Sequence, residues 1–137
     1  MCRVSVMIVD DNEADRFIVR KRLSKAGVFE ELREATNGEE FLQKVSRDAG
    51  ELHVADPPLV ILMDVNMPRM DGFQTIEELQ RRVAKGTAHA CVVVMMFTSS
   101  SNPEDLARAE QIDIVKGYLH KPLEKEGVEK ILEIYHS

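Results

Sequence analysis

The stretch Leu59-Val60-Ile61-Leu62-Met63-Asp64-Val65-Asn66-Met67-Pro68-Arg69-Met70-Asp71-Gly72 decides the fold. Leu59–Met63 is an unbroken apolar run of strand length with no polar face, the pattern of a strand covered on both sides in a parallel sheet. The run stops at Asp64. Pro68 and Gly72 mark a loop, after which Phe73, Ile76, Leu79 and Val83 recur at helical spacing up to Gly86. A buried strand, a carboxylate at its end and an amphipathic helix make one unit of an α/β protein.

The same unit recurs on either side. Val4–Val9 is a short apolar run ending at Asp10-Asp11; Asn12 then caps a helix with Val19, Leu23 and Ala26 inward, and Gly27 stops it. Leu32–Ala35 is a weaker strand, polar enough for a sheet edge. Glu39 to about Arg47 follows as a helix with Phe41, Leu42 and Val45 inward. Cys91–Phe97 is a second central strand, running into Thr98-Ser99-Ser100-Ser101. Asn102-Pro103 is an N-cap with proline in the first turn. Gly117–Leu119 is a short last strand ending at His120-Lys121-Pro122, and Val128, Ile131, Leu132 and Tyr135 line the closing helix. Five strands and five helices in alternation predict a doubly wound parallel sheet with helices on both faces, because crossovers are right-handed. The irregular stretch Ser46–Pro58 reads as a long loop.

Length and composition limit what such a domain does. At 137 residues, 44% hydrophobic and 31% charged, the chain has the size and composition of one folded domain, spanning 1–137, with no output domain expected beside it. Lys plus Arg is 18 against 24 Asp plus Glu, a net charge of -6, which argues against a nucleic-acid partner. Cys2 and Cys91 lie far apart and the four histidines are scattered, so neither a disulfide framework nor a zinc site is expected. No apolar stretch reaches the roughly 20 residues of a membrane span, and no signal-peptide core precedes the first strand. A cytoplasmic protein without a membrane partner is the expectation.

In an open α/β sheet, ligands bind outside the carboxyl ends of the strands. Those ends carry Asp10, Asp11, Asp64, Thr98 and Lys121. Three carboxylates at close quarters repel one another and call for a divalent cation; an all-oxygen donor set completed by water and phosphate suits Mg²⁺. Lys121 adds a fixed positive charge, expected on the opposite side of the pocket. Singly, each residue has a plainer reading as a helix-dipole partner, a turn residue or a cap. Their joint placement on four strand ends is what favours a site.

Val9-Asp10-Asp11-Asn12, Leu62–Gly72, Phe97-Thr98-Ser99-Ser100 and Gly117-Tyr118-Leu119-His120-Lys121-Pro122 together resemble the receiver domain of two-component response regulators over essentially the whole chain. The resemblance implies the flavodoxin-like strand order 2-1-3-4-5. It implies Asp64 as phosphoacceptor and Asp10, Asp11, Asp64 and the Asn66 main-chain carbonyl as Mg²⁺ ligands, one carboxylate acting through water. Thr98 and Lys121 become the phosphate-sensing hydroxyl and ammonium, and Tyr118 the aromatic switch residue. Asn66 and Ser100 are placed where family members tune phosphoryl lifetime; being small and polar, they lead to an expectation of self-dephosphorylation within minutes. The lengthened segment before Asp64, with Asp-Asn-Glu-Ala-Asp at 11–15, is similar to stand-alone chemotaxis-regulator-like receivers, including those serving bacterial phytochromes.

The implied partners are a sensor histidine kinase or a histidine phosphotransfer protein upstream and a protein target downstream. Output is expected from Pro103–Ile112, the Tyr118 strand and Gly127–Tyr135, in a monomer or a phosphorylation-dependent dimer. His120 reads as an exposed spectator, and Lys125-Glu126-Gly127 weakens the start of the last helix. Three rivals fall on particular residues. A non-phosphorylated receiver-like interaction module would normally have lost Asp64, one acidic partner or Lys121, and all are present. A phosphatase working through an aspartyl phosphate needs a second acid two positions after its nucleophile, and Asn66 cannot protonate a leaving group. A nucleotide or flavin binder wants a phosphate-cradling loop where Asp10-Asp11 stands.

Overall fold

The computed structural model describes residues 4–49, 58–88, 92–99 and 102–136. Strands β1 (Val4–Val9), β2 (Phe29–Ala35), β3 (Leu59–Asp64), β4 (Val92–Thr98) and β5 (Val115–His120) alternate with helices α1 (Glu13–Ala26), α2 (Gly38–Lys44), α3 (Gly72–Ala84), α4 (Pro103–Glu110) and α5 (Lys125–His136). All neighbouring strands are parallel and the sheet order is β2-β1-β3-β4-β5. This is the expected doubly wound, flavodoxin-like sheet.

Alternation along each strand divides the core between two faces. Met7, Val9, Ile61, Met63, Val94 and Met96 pack with Phe41 and Leu42 of α2 and with Phe73, Ile76 and Leu79 of α3. Val6, Ile8, Val60, Leu62, Met95 and Phe97 pack instead with Val19 and Leu23 of α1 and with Val128 and Ile131 of α5. Every residue of β3 is buried, because helices cover it on both sides.

Four boundaries differ from the sequence expectation. β2 begins at Phe29 and β5 spans Val115–His120, each longer than its apolar segment, because ladder pairing with a central neighbour carries polar edge residues along. Helix α2 ends at Lys44: Val45 turns inward as its cap and Ser46 pairs with Ala88, followed by a 3₁₀ turn at Arg47–Ala49. Ala26 is exposed, since the chain leaves the sheet there and Gly27 takes the left-handed conformation at φ +74°. α5 starts at Lys125 despite Gly127, where a Cβ would crowd Leu123 Cδ1 at 2.7 Å. Cys2, Cys91, His53, His89, Ser100 and residues 50–57 of the long loop lie outside the described residues.

Candidate functional site

β1 and β3 are neighbours in register, so their carboxyl ends place Asp10 and Asp64 side by side. Both are buried acids, 1% and 5% exposed, whereas Asp11 is open to solvent. Carboxylate oxygens of Asp10, Asp11 and Asp64 all lie within 4.8 Å of one another. At such a separation two unit charges repel by roughly 3 kcal/mol at an effective dielectric of about 20. The cluster is therefore one that could hold a cation.

Part of that charge comes from Lys121. Its backbone N–H bonds to the Thr98 carbonyl at 2.8 Å, which pins the end of β5 against the end of β4. Its ammonium reaches Asp10 Oδ2 at 2.6 Å, Asp15 Oδ2 at 2.8 Å and Asp64 Oδ1 at 3.3 Å, and lies 5.6 Å from the Phe97 ring centroid. The ammonium thus contacts two of the three clustered carboxylates, Asp10 and Asp64. A four-carbon stem fixed at the Thr98 carbonyl carries the ammonium into the acidic cluster. Burial alone would depress this lysine, but the bonds to Asp10 and Asp15 and the charges of Asp64 and Asp10 outweigh it and hold it above its ordinary range.

Asp64 has the opposite balance. Burial, reinforced by the Asp10 charge, lifts its carboxyl from 3.8 to about 7, against the lowering pull of Lys121 and of the Asn66 backbone N–H. Asp10 is already engaged at both oxygens, by the Asn12 backbone N–H at 2.9 Å and by Lys121. The loop beyond Asp64 folds back tightly. Gly72 N–H bonds the Val65 carbonyl at 2.9 Å, and a Cβ at Gly72 would strike the Asp64 carbonyl oxygen. Arg69 turns the loop at φ +69°, and Asp71 with Gln74 forms a capping box that starts α3.

Thr98 ends β4 fully buried beside Asp64, since Asp64 pairs with Phe97 across the β3–β4 ladder. Tyr118 pairs with Met96, and Thr98 with His120, so Tyr118 follows the strand diagonal from Thr98 on the α4 face. The ring is half-buried, and its hydroxyl is sheltered with no hydrogen-bond partner among the described residues. Burial, then the Asp105 charge, pushes this phenol up. His120 is exposed and meets the Tyr118 ring edge-on, centroids 5.5 Å apart.

Comparison with known proteins identifies the family. Residues 6–133 match the response regulator receiver domain. The chain belongs to that family. This receiver is 30% identical over 128 residues to the nitrate/nitrite response regulator NarL of Escherichia coli; the match covers 93% of the chain but 52% of NarL, about half its length. A two-component response regulator from Cytophaga hutchinsonii superimposes with a TM-score of 0.83 at 24% identity, covering all of both chains. The bacteriophytochrome response regulator AtBRR does so at 0.73 and 25% identity, covering 98% and 93%.

The receiver's structure brings together Asp10, Asp11, Asp64 and Lys121, and sets Thr98 on the neighbouring strand end. Asn66 stands exposed just past Asp64, while Ser100 lies outside the described residues. Two residues escaped the sequence reading. Asp15 on α1 bonds Lys121, and Arg16 donates to the Asp10 carbonyl at 2.7 Å while pairing with Glu34 at 2.9 Å. A signal for Asp15 was present: it sits three residues after the Asn12 cap, in the acidic first turn of α1. No helix among the described residues is long and apolar enough to cross a membrane.

Proposed function

We propose that this receiver takes a phosphoryl group on Asp64 from a phosphohistidine of a sensor kinase or phosphotransfer protein, in a Mg²⁺-dependent step. The observation that carries the reading is the set of three carboxylates within 4.8 Å of one another with the Lys121 ammonium among them. Hard oxygen donors suit Mg²⁺, and the two engaged oxygens of Asp10 favour its acting through water. Asp11, Asp64 and the Asn66 main-chain carbonyl would hold the ion directly. When bound, it would supply positive charge against the equatorial phosphoryl oxygens.

The chain's own residues do the rest. An Asp64 carboxylate oxygen attacks phosphorus, a P–O bond forms, and the P–N bond to imidazole breaks, its electron pair returning to the ring nitrogen. Attack needs the ionised carboxylate, which Lys121 favours. Lys121 then meets the phosphoryl charge, and the Thr98 hydroxyl donates to a phosphoryl oxygen. Movement of Thr98 opens space toward which Tyr118 shifts on the same face. That alters the surface around a cavity of about 370 Å³ lined by Leu106, Ala109, Val115, Gly117, Tyr118 and Lys130, between α4 and α5. A downstream protein would read that surface. The likeness to AtBRR, with Asp-Asn-Glu-Ala-Asp at 11–15, supports kinship with phytochrome-serving regulators.

The test is incubation with acetyl phosphate and Mg²⁺ followed by intact mass. One phosphoryl group should appear in the wild type, be absent in Asp64→Asn and be absent with EDTA. No added mass in the wild type refutes the reading. Decay of that mass within minutes would support short-lived phosphorylation through Asn66 and Ser100.

A further inference from the structure

Lys121 donates to two carboxylates more closely than to the phosphoacceptor. Asp10 and Asp15 stand at 2.6 and 2.8 Å and Asp64 at 3.3 Å. Of the two nearer partners, Asp10 belongs to the acidic cluster, while Asp15 comes from α1 and is outside it.

The Asp15 backbone is held in place by its own helix. Asn12 Oδ1 accepts from the Asp15 backbone N–H at 3.0 Å, fixing the first turn. The next residue, Arg16, is bonded to the Asp10 carbonyl and to Glu34, and Arg20 pairs with the same glutamate. These bonds lock the first turn of α1 to the ends of β1 and β2. The Asp15 backbone therefore stays with α1 if the ammonium moves. Asp15 also borders an open cavity of about 300 Å³ with Ile18, Ser99, Lys121 and Leu123, so its side chain, one third exposed, is rehydrated at small penalty once released.

We infer that Asp15 is a positioning residue that competes with Asp64 for Lys121. The inference rests on Asp64 being the phosphoacceptor. In the resting protein, Asp15 holds the ammonium toward α1. A phosphoryl group on Asp64 brings a charge near -2 and strong acceptor oxygens, and Lys121 gives up Asp15 to meet it. The resting contact must be broken on the way to the transition state, so Asp15 slows phosphorylation and ties its rate to the seating of α1.

The experiment compares wild type, Asp15→Asn, Asp15→Glu and Glu13→Gln with acetyl phosphate at saturating Mg²⁺, read by intact mass. Asn keeps the backbone cap and the side-chain shape, and thermal melts verify folding, with Asp15→Ala as a second variant. Asp15→Asn should phosphorylate about three- to tenfold faster at saturating donor. Asp15→Glu, which still reaches Nζ, should return the rate toward wild type. Glu13→Gln removes the same charge from the same turn and should leave the rate unchanged. Independently, the ¹⁵Nζ correlation of Lys121 should be observable in the wild type through slowed exchange and be lost in Asp15→Asn. Equal rates for Asp15→Asn and wild type, or equal acceleration by Glu13→Gln, overturn the inference while leaving Asp64 as phosphoacceptor. If the wild type takes up no phosphoryl mass, the functional reading fails, and persistence of the Lys121 signal in Asp15→Asn overturns the tether as well.

Discussion

Lys121 Nζ stands 3.3 Å from Asp64 Oδ1, near enough to pair with that carboxylate yet longer than its bond to Asp10. The resting site thus holds the Lys121 ammonium slightly off Asp64, and leaves Asp64 a weak acid.

That weakness has a pH signature. The folded carboxyl of Asp64 titrates near 7 rather than 3.8, so between these values the native state holds a proton that the unfolded chain has lost. Stability of the metal-free protein therefore falls as pH rises from about 4 to 7. Asp64→Asn removes this slope. At pH 8 in EDTA it should exceed the wild type by about 1–3 kcal/mol, less than the full shift implies because water and salt reach the open end of the site. Below pH 4 the two should melt alike. Urea unfolding across pH 4–8 checks this, and saturating Mg²⁺ should close the gap by stabilising the wild type.

Removing the ammonium has the reverse effect. Lys121→Ala leaves Asp10 and Asp64 buried together without their partner. The metal-free variant should lose about 2–4 kcal/mol at pH 8. Because Lys121 no longer occupies Asp10, Mg²⁺ should bind more tightly even as phosphorylation slows about a hundredfold. Isothermal titration and the mass assay separate the two effects.

Tyr118→Phe deletes a sheltered hydroxyl with no hydrogen-bond partner among the described residues. Stability should stay level or rise by about 0.5–1 kcal/mol in chemical denaturation. Phosphorylation by acetyl phosphate should proceed at the wild-type rate, since the ring lies beyond Thr98 from the reacting atoms.

Gly72→Ala and Gly27→Ala form a paired test of the two glycine roles. A methyl at Gly72 meets the Asp64 carbonyl oxygen, whereas Gly27 has open space but a φ of +74°. The first should cost about 2–4 kcal/mol and impair Mg²⁺ binding by displacing Asp64. The second should cost about 1 kcal/mol and leave metal binding intact. Thermal melts with and without Mg²⁺ distinguish them.

Much of this protein was legible in the order of its residues. Leu59–Met63 had to be a central strand because a run without a polar face must be covered on both sides, and that placed Asp64 at a carboxyl end. The caps at Asn12 and Asn102, the stop at Gly27 and the carboxylates at two strand ends are local signals, carried by one residue and its near neighbours. β2 and β5 were less visible, since their extra residues are strand only through pairing with β1 and β4. That Lys121 also holds Asp15 was far less visible along the chain. Asp15 and Lys121 are 106 positions apart, and their contact depends on α1 crossing back over the strand ends and on the Thr98 carbonyl fixing the lysine's root. Strand ends follow from local hydrophobic pattern; the sharing of one ammonium among three carboxylates is a matter of ångströms, which packing alone decides.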